Sequence, residues 1–87
     1  MKIDIYTTPG CVFCAKAKAV LDCLRLEYNV KLIEGQEAKA DLMDKLQANF
    51  GLDDDERTFP KIFIDGKLVK GYSDLKRLVI LGKIKRA

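Results

Sequence analysis

Isoleucines at positions 3 and 5 alternate with polar neighbours in KIDIYT (2–7), and a period of two marks a strand with one buried face. Thr8-Pro9-Gly10 ends it. From Cys11 onward the period changes. Phe13, Ala17, Val20, Leu21 and Leu24 fall on one face of a helix that the pattern carries to about Leu26. EYNVKLI (27–33) returns to strand character. A strand, a helix of this length and a second strand form a crossover unit, so the two strands should be parallel.

GQEA (35–38) reads as a loop. In KADLMDKLQANF (39–50), Leu42, Met43, Leu46 and Phe50 recur at helical spacing, and Gly51 suits the position just past a helix. LDDDERT (52–58) reads as a charged loop. KIFI (61–64) is a short strand, Asp65-Gly66 a hairpin turn, and KLVK (67–70) the antiparallel partner. YSDLKRLVILGKI (72–84) reads as a final helix, with Ser73 placed to cap it and Leu75, Leu78 and Val79 forming its apolar stripe. KIKRA (83–87) reads as a frayed basic tail. The order β-α-β-α-β-β-α predicts an α/β domain over residues 1–87: a four-stranded mixed sheet with helices on both faces.

Composition narrows the chemistry. The chain has 87 residues, enough for one small domain. No apolar run approaches the roughly 18 residues of a membrane span, and MKIDIYTTPG lacks the apolar core of a signal peptide. A cytoplasmic protein, away from the membrane, is the expectation. Thiols in that compartment stay reduced and serve chemistry or metal binding. The chain has no histidine, which removes Cys-His and Ser-His-Asp catalysis and every histidine-containing zinc site. The net charge is +3, but residues 34–56 carry eight acids against two bases and residues 57–87 nine bases against two acids. The second block is either a surface for an anionic ligand or a solvated lysine-rich face. No aromatic platform or nucleic-acid motif accompanies its bases, so nucleic acid is not an expected partner.

Cys11 and Cys14, in TTPGCVFCAKAK (7–18), form a pair that can be a metal clip, a structural disulfide or a redox couple. A zinc clip wants four ligands, and this chain offers one pair, one distant cysteine and no histidine. A lasting disulfide does not suit a reducing compartment. The redox reading has a physical basis. Cys11 sits where a strand gives way to a helix, and unsatisfied N–H groups and the positive end of the helix dipole favour thiolate over thiol. In such settings a cysteine pKa falls from about 8.5 to roughly 3.5–7.5. Cys14, about one turn further in and more buried, can reach the sulfur of Cys11 and is the weaker nucleophile. That asymmetry suits thiol–disulfide exchange. Cys23 lies about 13 Å further along the same helix, too far for a bridge to Cys14. It reads as a small semi-buried hydrophobe, with a regulatory or adventitious thiol as the alternative.

RTFPKIFIDGKLVKGYSDL (57–75) supplies the second half of a site. Pro60 directly precedes a strand. Beside a Cys-x-x-Cys helix, a cis Phe59–Pro60 bond is expected, presenting the backbone of Phe59 to the cysteines for an extended peptide-like substrate. A trans turn with no contact role is the alternative. Gly71 is read as a sharp turn. Backbone N–H groups where Ser73 and Asp74 open the last helix can take a carboxylate, and Asp74 can accept from an ammonium group. An amino-acid head bearing both charges fits, such as the γ-glutamyl end of glutathione. Plain helix capping by Ser73 and Asp74 satisfies the same spacing.

Taken together, Cys11-Val12-Phe13-Cys14, Thr58-Phe59-Pro60 and Lys70-Gly71-Tyr72-Ser73-Asp74 resemble the Cys-Pro-Tyr-Cys, Thr-Val-Pro and Gly-Gly-x-x-Asp motifs of the glutaredoxins, in order and spacing, across nearly the full chain. The resemblance implies a thioredoxin-like fold and a glutathione-dependent thiol–disulfide oxidoreductase. Cys11 would be its nucleophile and Cys14 its resolving thiol. Thr58, Phe59 and Pro60 would hold the cysteinyl part of glutathione, and Ser73 and Asp74 its γ-glutamyl part, with Gly71 also among the glutathione-binding residues. Phe13 would stand in for the family's tyrosine beside the cysteines and count among the glutathione-binding residues. Glutathione is then a co-substrate, with no tightly bound cofactor and no metal. Partners would be disulfide-bearing proteins, ribonucleotide reductase among them, and the protein itself would be a monomer. Departures are Val12 for proline, Lys70 for the first glycine, and Thr8 where a basic residue often meets the glycyl carboxylate; Arg57 or lysines elsewhere are candidates to replace it. YTTPGCVFC also resembles the start of the NrdH-redoxins, which thioredoxin reductase reduces, and some glutaredoxins hold an iron–sulfur cluster through the first cysteine and glutathione. These are the alternative readings.

Overall fold

The alternation in KIDIYT buries Ile3, Ile5 and Thr7 on one face of strand β1 (Ile3–Thr7). In the computed structural model, which describes residues 1–87, helix α1 (Val12–Cys23) lies on that face, its Cys14, Ala17 and Leu21 buried. Strand β2 (Asn29–Leu32) returns parallel to β1 at the sheet edge. Helix α2 (Gln36–Phe50) covers the other face, a short 3-10 turn follows at Asp54–Glu56, and the hairpin β3 (Lys61–Ile64) and β4 (Lys67–Val69) leads to helix α3 (Tyr72–Ile80). The sheet order is β2-β1-β3-β4, with β3 antiparallel to both β1 and β4. The expected thioredoxin-like arrangement is present: a four-stranded mixed sheet with helices on both faces.

Two apolar clusters hold the layers together. Ile3, Ile5, Ile62 and Val69 of the sheet pack with Ala17, Leu21 and Leu75 on the α1/α3 side. Met43, Leu46 and Leu52 pack under the other face, with Phe63, Leu68 and Phe59 beside them. Opposing Ile5 to Ile62 in β1/β3 and Ile62 to Val69 in β3/β4 keeps one face apolar across three strands. Asp65 and Gly66 both have positive φ, 51° and 81°, as a two-residue turn between twisted strands requires.

Several boundaries differ from the pattern-based reading. Helix α1 stops at Cys23 because Arg25 turns left-handed (φ 56°) and the Leu26 N–H donates back to the Leu21 carbonyl. Helix α2 begins at Gln36, inside the expected loop; Gly35 precedes it with no side-chain cap to mark the start. Helix α3 ends at Ile80, closed by Gly82 at φ 73° and a Lys83 N–H bond to the Leu78 carbonyl. Ser73 does not cap it, since Gly71 holds that position. The terminal segment is docked rather than frayed: Ile84 is 4% exposed in the main core, and the Ala87 N–H donates to the Leu24 carbonyl at 2.9 Å. Cys23 is exposed, not semi-buried, and Phe13 is 53% exposed, off the apolar stripe. Both point away from the face that Cys14, Ala17 and Leu21 bury.

Candidate functional site

Cys11 is the N-cap of α1, and its sulfur accepts the Cys14 backbone N–H at 3.1 Å. The first turn of α1 carries no acidic residue, so no carboxylate there offsets the positive end of the dipole. Cys11 and Cys14 are paired as a disulfide with a Cα–Cα separation of 5.2 Å, within the range that a bridge allows. Cys14 is buried and Cys11 half-buried. Cys14 is thus the more buried of the two, as expected, and Cys11 the more accessible to an incoming sulfur. Cys23 stays outside the site.

The Phe59–Pro60 bond is cis. The Phe59 carbonyl lies 3.7 Å from Cys11 Sγ, close enough to accept from a reduced thiol there. This contact joins the cysteine pair to a cleft of about 420 Å³. Phe13, Thr58, Phe59, Pro60, Gly71, Ser73 and Asp74 all line that cleft. The helix start, the cis-proline turn and the start of α3, distant in sequence, thus converge on one concavity. Gly71 does not make the sharp turn expected of it. Its backbone is extended (φ 175°), a conformation open to any residue, and a Cβ built there would rest 3.9 Å from the Pro60 carbonyl.

Four further residues line the cleft, of which the sequence had singled out neither Asp55 nor Glu56. Tyr72 packs against Phe13, ring centroids 6.0 Å apart, and Asp55, Glu56 and Lys70 complete the wall. Glu56 is held below the usual carboxylate range, first by the Asp53 backbone N–H and then by Lys70. The Lys70 ammonium lies 3.2 Å from the Glu56 carboxylate. Arg57 faces α2 instead, paired with Asp44 at 2.9 Å and hydrogen-bonded to Gln47. Thr8 lies in a separate hollow beside Cys11, where Lys18 is the one lining cation. Lys61 is fully buried next to the cis-proline. Its only signal in the sequence was a lysine opening an otherwise apolar strand.

The glutaredoxin family model matches residues 3–69. The chain belongs to the glutaredoxin family. It is 36% identical over 83 residues to Glutaredoxin 1 of Rickettsia bellii, covering 94% of this chain and 81% of the relative. Its fold matches the crystal structure of Glutaredoxin 1 from Francisella tularensis complexed with cacodylate, with a TM-score of 0.79 and 28% identity over 93% of this chain and 96% of that one. The buckwheat glutaredoxin–glutathione complex shares the fold with a TM-score of 0.76 and 24% identity, covering 93% and 70% of the two chains. The protein is therefore a glutaredoxin-type thiol–disulfide oxidoreductase with a Cys11–Cys14 pair.

Proposed function

We propose that the protein reduces protein disulfides and glutathione mixed disulfides and is itself reduced by glutathione. The observation that carries this reading is the convergence of Phe13, Thr58, Phe59, Pro60, Gly71, Ser73 and Asp74 on one cleft whose Phe59 carbonyl touches Cys11. A cysteine-containing peptide lying along Phe59 brings its sulfur to Cys11. Its α-carboxylate meets the free N–H groups at the start of α3, and its α-ammonium meets Asp74. The glutathione bound in the buckwheat relative is a ligand of this chemistry.

The reaction proceeds by exchange. The Cys11 thiolate attacks a substrate disulfide, forming a mixed disulfide and releasing one substrate thiolate. The Cys14 thiol, deprotonated, attacks the Cys11 sulfur, releases the second substrate thiolate and closes the Cys11–Cys14 disulfide. One glutathione thiolate then opens that disulfide at Cys11 and frees Cys14. A second attacks the bound glutathione sulfur, leaving glutathione disulfide and the Cys11 thiolate. Two electrons pass from two glutathione molecules to one substrate disulfide. We read the protein further as a cytoplasmic monomer with ribonucleotide reductase among its substrates.

The test is NADPH consumption on one disulfide substrate in two parallel assays, one with glutathione and glutathione reductase, the other with thioredoxin reductase alone. Turnover confined to the first is expected. Turnover confined to the second would assign the donor to thioredoxin reductase and remove glutathione from the cleft.

A further inference from the structure

Lysine is rarely fully buried unless its charge is met, yet Lys61 is 0% exposed. Its ammonium donates to the Thr58 carbonyl and to the Lys70 carbonyl, each at 2.5 Å. Those carbonyls belong to the two walls of the cleft. Thr58 begins the cis-proline turn, and Lys70 immediately precedes Gly71 and α3. The walls are close, since a Cβ at Gly71 would lie 3.9 Å from the Pro60 carbonyl. No backbone hydrogen bond of the hairpin ladder fixes their spacing, because β3 starts after one wall and β4 ends before the other.

We propose that Lys61 is a positioning residue whose buried ammonium ties the cis-proline turn to the segment leading into α3, setting the width of the cleft that receives the glutathionyl group. The inference rests on the glutathione reading above. It concerns a side chain beneath the cleft that does not line it. The ammonium suits the role because its three donors can serve both carbonyls at once, and charge-assisted bonds are stronger than neutral ones. The carboxylates of Glu56 and Asp74, from the 3-10 turn and from α3, support its charge, and Lys70 opposes it. Burial pushes its pKa down to about 8, so it remains mostly charged at neutral pH.

Steady-state kinetics on a glutathionylated peptide, with glutathione and glutathione reductase at pH 7, test the assignment in the wild type, Lys61→Met and Lys61→Gln. Lys61→Met should raise KM about tenfold, the scale expected for losing charge-assisted hydrogen bonds, with kcat within about twofold. Lys61→Gln keeps two amide donors and should recover part of the loss. Alkylation of Cys11 by iodoacetamide should proceed at a similar rate in all three proteins, because the ammonium acts on the cleft and not on the thiol. A folded Lys61→Met with wild-type KM, or with its loss confined to kcat, overturns the assignment. Should Lys61→Met fail to fold, Lys61→Gln decides: a KM raised severalfold supports the strut, and an unchanged KM overturns it. A wild type inactive with glutathione overturns the donor reading and this inference with it, whereas an active wild type unaffected by Lys61 substitution overturns this inference alone.

Discussion

Ile84→Ala, compared with Ile80→Ala, tests the docking of the terminal segment. The two isoleucines are four residues apart in the same apolar-basic stretch, but Ile84 is 4% exposed and Ile80 is 74% exposed. Ile84 packs in the cluster containing Ile3, Ile5, Leu21 and Leu75. Truncating a buried isoleucine to alanine costs about 2–5 kcal/mol. A position near the chain end can relax into the space left behind, so about 2–3 kcal/mol is expected. An exposed substitution changes stability by about 0.5 kcal/mol or less. The assay is urea unfolding followed by circular dichroism, with reductant present so that no disulfide changes during the transition. At a slope of about 1 kcal/mol/M, Ile84→Ala should lower the midpoint by roughly 2 M and Ile80→Ala by less than about 0.5 M. Equal midpoints for the two variants would refute the docked tail and restore the frayed one.

Cys14→Ser should abolish reduction of protein disulfides yet retain turnover of glutathione mixed disulfides, while Cys11→Ser should remove both; NADPH-coupled assays check this, and substantial activity in Cys11→Ser contradicts the assignment of nucleophile. Ser73→Ala should change unfolding stability by no more than about 0.5 kcal/mol, because Ser73 makes no capping bond, yet raise KM for a glutathionylated peptide severalfold; an unchanged KM would remove Ser73 from the site. Burial lowers the Lys61 pKa from 10.5 to about 8, so the unfolded chain holds more protons between those values and stability rises with pH across that window. Below about pH 8 both states are charged and the burial penalty stands in full. The unfolding free energy of wild type minus that of Lys61→Met should therefore increase by about 2 kcal/mol from pH 7.5 to pH 10, and a constant difference would contradict the shift.

Features set by local chemistry were legible in the sequence. Alternating isoleucines placed β1, Asp65-Gly66 placed the hairpin turn, and the strand-breaking Thr8-Pro9-Gly10 put Cys11 at a helix start. Pro60 ahead of KIFI indicated the cis-proline turn, and the motif spacing gathered residues that one cleft does bring together. Features set by tertiary contact were not legible. Helix α2 starts after Gly35 with no side-chain cap to signal it. Ile84 is apolar in either a frayed or a docked tail, and only the core beneath it decides. Phe13 sits four residues before Ala17, a spacing that fits the buried stripe, yet the stripe runs through Cys14, Ala17 and Leu21 and leaves Phe13 beside the cleft. Lys61 was hidden for a related reason. A strand pattern assigns its first lysine to solvent, and the carbonyls that retain it come from residues three before and nine after it.

Binding of glutathione in the cleft is tested with Cys14→Ser, oxidised with glutathione disulfide so that the mixed disulfide persists. Mass spectrometry locates the adduct, and intermolecular NMR contacts locate the glutathionyl group. One glutathione is expected on Cys11, with its cysteinyl backbone against Phe59 and its γ-glutamyl head against Ser73 and Asp74. An adduct on Cys23 alone, or a glutathionyl group on Cys11 that makes no contact with the cleft, would contradict it.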